Sequence, residues 1–192
     1  MEFPQLKQKI LQRQDRSKKG VMDEKITALC KKINQHPNFI TTSSCSGRIV
    51  VLQLPKKGKK KDAQFLFQSH TLVKTQRIKN ELEGYVGKDP LIFKEEGPIL
   101  HIAARTLDDA ENLIRLGQHS GFKRSTIITV KKKIVVELRS MEQLEAPIFD
   151  KHLLITDEYL ACLVKCANEK LRKGWKQIHK LEEAWLKQQR KR

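Results

Sequence analysis

Acidic residues are what this chain lacks most. Asp and Glu number 22 against 39 Lys and Arg, a net charge of +17 over 192 residues. That excess goes beyond what solubility needs and favours a polyanionic partner, nucleic acid first. A thermophilic or halotolerant surface would raise lysine and glutamate together, and here the acids do not keep pace. Long apolar runs are also missing. None approaches a membrane span, and Met1-Glu2-Phe3-Pro4 lacks the charged and then apolar layout of a signal peptide. A cytoplasmic protein with no membrane partner is expected. The four cysteines, Cys30, Cys45, Cys162 and Cys166, follow no disulfide framework and read as reduced thiols. Cys162 and Cys166 have helical spacing, but no histidine is near them in sequence and both lie beside an apolar stripe. They read as buried thiols, and no metal is expected. Finally, no G-x-G-x-x-G follows a strand and no Walker loop occurs, so the usual phosphate or methyl-donor loop of a doubly wound sheet is missing.

What is present is a succession of short periodic segments. The stretch 5–20 is polar and charged, an arm or a short helix. Asp23 caps a helix whose apolar face is Ile26, Leu29, Cys30 and Ile33, and which stops near His36-Pro37. A hairpin follows, one strand reaching into 41–48 and the other over 48–54. A lysine tract at 56–61 forms a solvated loop and 63–70 a third strand. A helix over 71–82 and strands over 91–93 and 99–104 come next. Thr106 caps another helix, with Asp108 and Asp109 in its first turn and Leu107, Ala110, Leu113 and Ile114 as its stripe; Gly121 supplies its terminal turn. Strands over 125–130 and 133–139 make a second hairpin. A long helix starts at Thr156, its stripe running through Leu160, Leu163, Val164, Ala167, Leu171, Ile178, Leu181 and Trp185. Trp175 and Trp185 read as helix packing. The echo of Ile49-Val50-Val51 in Ile134-Val135-Val136 hints at a duplication, with half-repeats over 20–83 and 90–150 and a C-terminal helix over 156–190. The expected fold is a single α+β domain over 1–192, its sheet mixed and mainly antiparallel, with flanking helices and no doubly wound parallel sheet.

The densest polar feature is Thr41-Thr42-Ser43-Ser44-Cys45-Ser46-Gly47-Arg48, followed at once by the apolar run Ile49-Val50-Val51-Leu52. Small hydroxyl donors closed by an arginine at a strand end can gather several hydrogen bonds around one anion. Cys45 and Arg48 are too tightly spaced for a phosphatase cysteine loop. His70 and His101 each end or border an apolar strand, FLFQSH and PILH. A lone histidine there is usually structural, but two in comparable places make either one a candidate proton acceptor. Lys56, Lys57, Lys59 and Lys60, with Lys131-Lys132-Lys133 and the basic C-terminus, fit phosphate contacts. Each would steepen the salt dependence of duplex binding by roughly 0.9, positioning a nucleic acid without reading its sequence.

With these residues in view, the chain resembles the tRNA wybutosine-synthesising protein 3 family of archaea and eukaryotes. The resemblance rests on Asp15-Arg16-Ser17-Lys18-Lys19-Gly20 with Asp23, on the octapeptide, and on Ser69-His70. It continues through Pro98-Ile99-Leu100-His101, Gly121-Phe122-Lys123-Arg124-Ser125, Arg139-Ser140, Tyr159-Leu160 and Ala167-Asn168. Nearly the whole chain is covered, and the octapeptide is the most specific part. A phenylalanine-rich segment precedes His70 where the family pattern has a tryptophan, and the compact length and lysine content look archaeal. The resemblance implies a methyltransferase using S-adenosylmethionine on a ring nitrogen of the tricyclic base 3′ of the anticodon in phenylalanine tRNA, with the anticodon arm as partner. Ser43, Ser44, Ser46 and Arg48 would then bind the cofactor, or a tRNA phosphate. His70, His101 or Asp15 would be the catalytic base, with Lys19 and Asp23 on the substrate. The alternative from another class is a non-catalytic basic RNA-binding protein.

Methyl transfer to nitrogen needs no covalent enzyme intermediate, which assigns Cys45 a packing or binding role. Cys45→Ser is therefore expected to keep substantial methyl-transfer activity; complete loss in a folded protein would revive covalent chemistry. Arg48→Ala is expected to lose most activity with its circular dichroism and melting curve unchanged. Near-normal turnover in that variant would remove Arg48 from the mechanism.

Overall fold

A computed structural model describes residues 2–12, 23–55 and 63–190. The chain divides into two compact units: Met1–Ser46, Pro98–Met141 and Gly174–Arg192 form the first, and Gly47–Gly97 with Glu142–Lys173 the second. Every strand pairing among the described residues is antiparallel.

The first unit contains a four-stranded sheet in the order β1 (Phe39–Cys45), β5 (Ile99–Ala104), β7 (Ile134–Arg139), β6 (Thr126–Thr129). Alternation along the strands gives the sheet two unlike faces. Phe39, Leu100, Ile102, Ala104, Val136 and Leu138 meet Ile26, Leu29, Cys30 and Ile33 of α2 (Glu24–Gln35) and Ala110 and Leu113 of α4 (Leu107–His119). The same core takes Ile178, Leu181 and Trp185 from the second half of α5 (Asp157–Gln189). Trp185 sits edge-on to Phe39 and His36, at 5.2 and 5.7 Å between ring centres, and Lys25 lies over the Trp175 ring at 5.4 Å. On the opposite face, Ile40, Ala103 and Val135 are covered by Phe3 and Ile10 of α1 (Phe3–Leu11).

The second unit contains a five-stranded sheet in the order β3 (Gln64–Ser69), β2 (Arg48–Gln53), β4 (Leu91–Glu96), β8 (Gln143–Asp150), β9 (His152–Leu153). With it go α3 (Thr75–Glu83), whose Ile78 is fully buried, and the first half of α5, whose Leu160, Leu163, Val164, Ala167 and Leu171 are buried. Asn168 of that helix clamps the backbone of Val73 from both sides, accepting from its N–H at 2.9 Å and donating to its carbonyl at 2.8 Å.

The helical stripes expected for α2 and α5 are the buried ones, and Thr106 caps α4 by accepting from the Asp109 N–H at 3.1 Å. Several expectations are corrected. The strands at 39–45 and 48–53 are not a hairpin: β1 pairs with β5 and β2 with β3 and β4, so the chain changes sheet at Ser46-Gly47. Gly47 takes φ +97°, a conformation in which a side chain would be strained. Asp23 sits at the N-terminus of α2 but makes no side-chain cap, because its carboxylate accepts from Ser46 instead. Leu107 is 56% exposed, since the first helical position lies off the stripe that Ala110 and Leu113 bury. Cys162 is exposed and Cys166 half-buried; Cys162 is about 200° round the helix from Leu160 and leaves the stripe.

Two strands went unrecognised. In β8 the sequence Gln143-Leu144-Glu145-Ala146-Pro147 argues against a central strand. The structure resolves the conflict because β9 pairs with β8 only at Phe149 and Asp150, which leaves Pro147 without a ladder on that side.

One charge stands out in the second unit. Glu95 of β4 lies between Ile49 and Leu144 on the neighbouring strands, is fully buried, and neither carboxyl oxygen has a hydrogen-bond partner among the described residues. Burial pushes its pKa up to about 7; Lys170 opposes the shift, while Glu142 and Glu96 add to it. The folded protein thus keeps a proton that the unfolded chain releases near its ordinary value of 4.5. Stability contributed by this group is present below about pH 4.5 and is lost as pH rises to about 7. Glu95→Leu is expected to flatten that part of the pH–stability curve and to gain up to roughly 3 kcal/mol at pH 8. Urea midpoints from pH 5 to 8 test it: a difference between the two proteins that stays constant across the range would place no titration at Glu95.

Candidate active site

The octapeptide begins in β1 of the first unit, and its geometry there is set by a bulge. Thr41 opposes Ile102 and Ser43 opposes His101, so Thr42 is the extra residue on β1. Thr42 Oγ1 donates to the His101 carbonyl at 3.2 Å, tying down the irregularity. A bulge re-aims the side chains beyond it, and here it brings Ser43 onto the face that carries His101. Residues directly opposite in an antiparallel pair share a face. His101 opposes Glu137 of β7, and Glu137 opposes Thr126 of β6, so one polar row crosses the sheet.

Within that row Ser43 Oγ lies 2.8 Å from His101 Nδ1, and His101 Nε2 lies 2.8 Å from Glu137 Oε2. The His101 and Glu137 side chains keep 30% and 20% of their surface, and Ser43 is exposed. The imidazole therefore has a carboxylate at one nitrogen and a surface hydroxyl at the other. Sequence reasoning found Ser43 and His101 but missed Glu137. The signal available was a lone charge inside the apolar strand Ile134-Val135-Val136-Glu137-Leu138.

Thr41, Ser44 and Ser46 face the core side or the turn, whereas Cys45, opposite Ile99, lies on the Ser43 face and is half-buried. Thr41 is buried, and its N–H and hydroxyl donate to Asn34 Oδ1 of α2 at 2.8 and 3.0 Å. Ser44 bonds the thiol of Cys30, which burial pushes up to about 11 with the serine opposing. Ser46 is buried, and its N–H and hydroxyl both donate to Asp23 Oδ2, at 3.0 and 3.2 Å. The turn is thus built to receive a carboxylate, and the chain's own Asp23 fills it.

Arg48 and His70 belong to the second unit. Arg48 opposes Glu96 across β2 and β4 and gives its Nε to Glu96 Oε2 at 2.6 Å, while its guanidinium stacks over Phe65 at 4.9 Å. Both partners are partly exposed, so the pair adds at most about 1 kcal/mol to stability. His70 Nδ1 is 3.1 Å from the Gly47 carbonyl, which can only accept, so that nitrogen carries the hydrogen. Its Nε2 accepts from the Gln68 amide nitrogen at 3.1 Å. His70 thus has a carbonyl at one ring nitrogen and an amide at the other. Asp15, Lys19, Lys56, Lys57, Lys59 and Lys60 lie outside the described residues.

Near His70 the second unit has a cavity of about 400 Å³. Phe67 and Leu72 give it apolar walls, Ser69 and Thr71 hydroxyls, and Lys74 and Arg77 cations. No helix among the described residues is long and apolar enough to cross a membrane.

Comparison with known proteins agrees with this arrangement of elements. Residues 5–187 match the family described as Methyltransferase TYW3. A Thermococcus sibiricus protein named tRNA(Phe) 7-((3-amino-3-carboxypropyl)-4-demethylwyosine(37)-N(4))-methyltransferase is 40% identical over 171 residues, 88% of this chain and 86% of that protein. A Pyrococcus abyssi protein of the same name, numbered 1, is 38% identical over 168 residues, 86% of each chain. The solved structure of the PH1069 protein from Pyrococcus horikoshii aligns with a TM-score of 0.88 at 35% identity, covering 96% of both chains. Sequence and fold thus agree along nearly the full length, and the chain belongs to the Methyltransferase TYW3 family.

Proposed function

We propose that this chain methylates a ring nitrogen of the tricyclic wybutosine precursor 3′ of the anticodon in phenylalanine tRNA, in the cytoplasm, with S-adenosylmethionine as donor. The observation that carries the reading is His101, held between the Ser43 hydroxyl and the Glu137 carboxylate on a partly open sheet face of a methyltransferase-family chain. The named activity of the 40% identical relative supplies the substrate class. The charge of +17 suits a tRNA, and Lys131 and Lys132 are exposed in the turn after β6 to meet phosphates.

The residues present suit the donor. The cavity beside His70 offers Phe67 and Leu72 to a base, Ser69 and Thr71 to ribose hydroxyls, and Lys74 and Arg77 to a carboxylate. Among the octapeptide residues assigned to the donor, Ser44 and Ser46 direct their hydroxyls to Cys30 and Asp23. Arg48, in the same unit as the cavity, remains a partly exposed contributor. When bound, S-adenosylmethionine supplies an electrophilic methyl group on a sulfonium. The protein's part is alignment of the reactants, worth up to roughly 7–11 kcal/mol, and removal of the acceptor nitrogen's proton, worth roughly 10²–10⁴-fold.

Of the two histidines, His101 has the surroundings of a base. Glu137 holds Nε2–H and stabilises the ring as it gains charge, which leaves Nδ1 to take the proton. His70 already uses Nδ1–H on a carbonyl and Nε2 on an amide donor. Phenylalanine tRNA carrying the unmethylated tricycle, incubated with the protein and S-adenosylmethionine, is expected to gain one methyl group by mass spectrometry of the nucleoside. His101→Ala should slow that gain about 100-fold or more, and His70→Ala by far less. The reverse order would move the base to His70; tRNA binding without any methyl gain would return the chain to a non-catalytic RNA-binding role.

A further inference from the structure

The proton path from the substrate to His101 is partly closed by the protein itself. Glu137 is acceptor-only as a carboxylate, so the 2.8 Å contact fixes the hydrogen on His101 Nε2. In the neutral ring the lone pair is then on Nδ1, and the Ser43 hydroxyl donates to it at 2.8 Å. His101 lies on an inner strand between β1 and β7, whereas Ser43 is on the outer strand and exposed. Ser43 is thus more exposed than His101, whose side chain keeps 30% of its surface.

We propose that Ser43 is a catalytic proton relay and that Glu137 is the residue that positions His101 for it, a role that rests on the reading of His101 as the base. The substrate N–H points at Ser43 Oγ. As the substrate nitrogen takes the methyl carbon from the donor's sulfur, its N–H bond breaks and that proton passes to Ser43 Oγ. The proton already on Oγ moves to His101 Nδ1. Ser43 ends the step as a hydroxyl, and the imidazolium is held by Glu137 through Nε2–H. Return of the Nδ1 proton through Ser43 to solvent restores the starting state. Without the bulge, Thr42 would oppose His101 in place of Ser43.

The experiment pairs a spectroscopic readout on the full chain with single-turnover kinetics. In proton–nitrogen spectra at alkaline pH, His101 is expected to show a slowly exchanging Nε2–H. That signal should survive Ser43→Ala and vanish in Glu137→Ala. Its absence from the parent protein, or its persistence in Glu137→Ala, would overturn the positioning role of Glu137. In single turnovers Ser43→Ala should be slowed about 100-fold with tRNA affinity unchanged, and Ser43→Thr, which keeps a hydroxyl, should recover to within about tenfold of the parent. Normal rates in Ser43→Ala beside an inactive His101→Ala would sink the relay and leave His101 as base. Normal rates in both would overturn the base reading, and the relay with it, even where the Nε2–H signal is present.

Discussion

The pairing register of β5 constrains everything in the first unit. This strand is flanked on both sides, by β1 and by β7, and its alternation divides the sheet. Leu100 and Ile102 go into the main core, and Ala103 goes under α1. His101 falls on the same face as Ala103, beyond the cover of α1's apolar contacts. A slip of one residue on either side would send every one of these side chains to the wrong face. The core therefore enforces the register, and the register places Ser43, His101 and Glu137 side by side. The polar row needs no stabilising energy of its own, because the apolar face holds it in place.

The acids that the chain lacks overall are found behind the site residues. Asp23 receives both donors of Ser46, Glu96 receives Arg48, and Glu137 receives His101. Each is a charge-assisted hydrogen bond that fixes a polar side chain in one orientation. With only 22 acids for 39 cations, 17 more positive than negative side chains remain. The charge imbalance and the ordered site are two results of one distribution.

How much of this was legible in the residues depends on the range of the interactions concerned. Helices α2, α4 and α5 are local objects, and their stripes and the Thr106 cap could be read from spacing. The octapeptide stood out for its density of hydroxyls. Pairing was less accessible. The break at Gly47 looks like a hairpin turn, and only a partner 58 residues away, His101 for Ser43, shows that β1 belongs elsewhere. Strand β8 hid behind Pro147, whose neighbour on that side is too short to need its missing N–H. Glu137 is 36 residues from His101 and was invisible for the same reason. The two units, assembled from three and two separated stretches, leave no linker to mark a boundary.

Strand β1 is an outer strand of its sheet, with β5 as its neighbour on one side. Outer strands open more readily than the core they border, in excursions that need no global unfolding. If β1 lifts from β5, Ser43 leaves His101, and the polar row is dismantled while the rest of the unit stays folded. What resists such opening is α2. Its Asn34 takes the backbone and hydroxyl of Thr41, and Asp23 at its start takes Ser46, so the strand is fastened on either side of Ser43. Two side chains that touch neither the imidazole nor its partners thus help to hold the assembled site together.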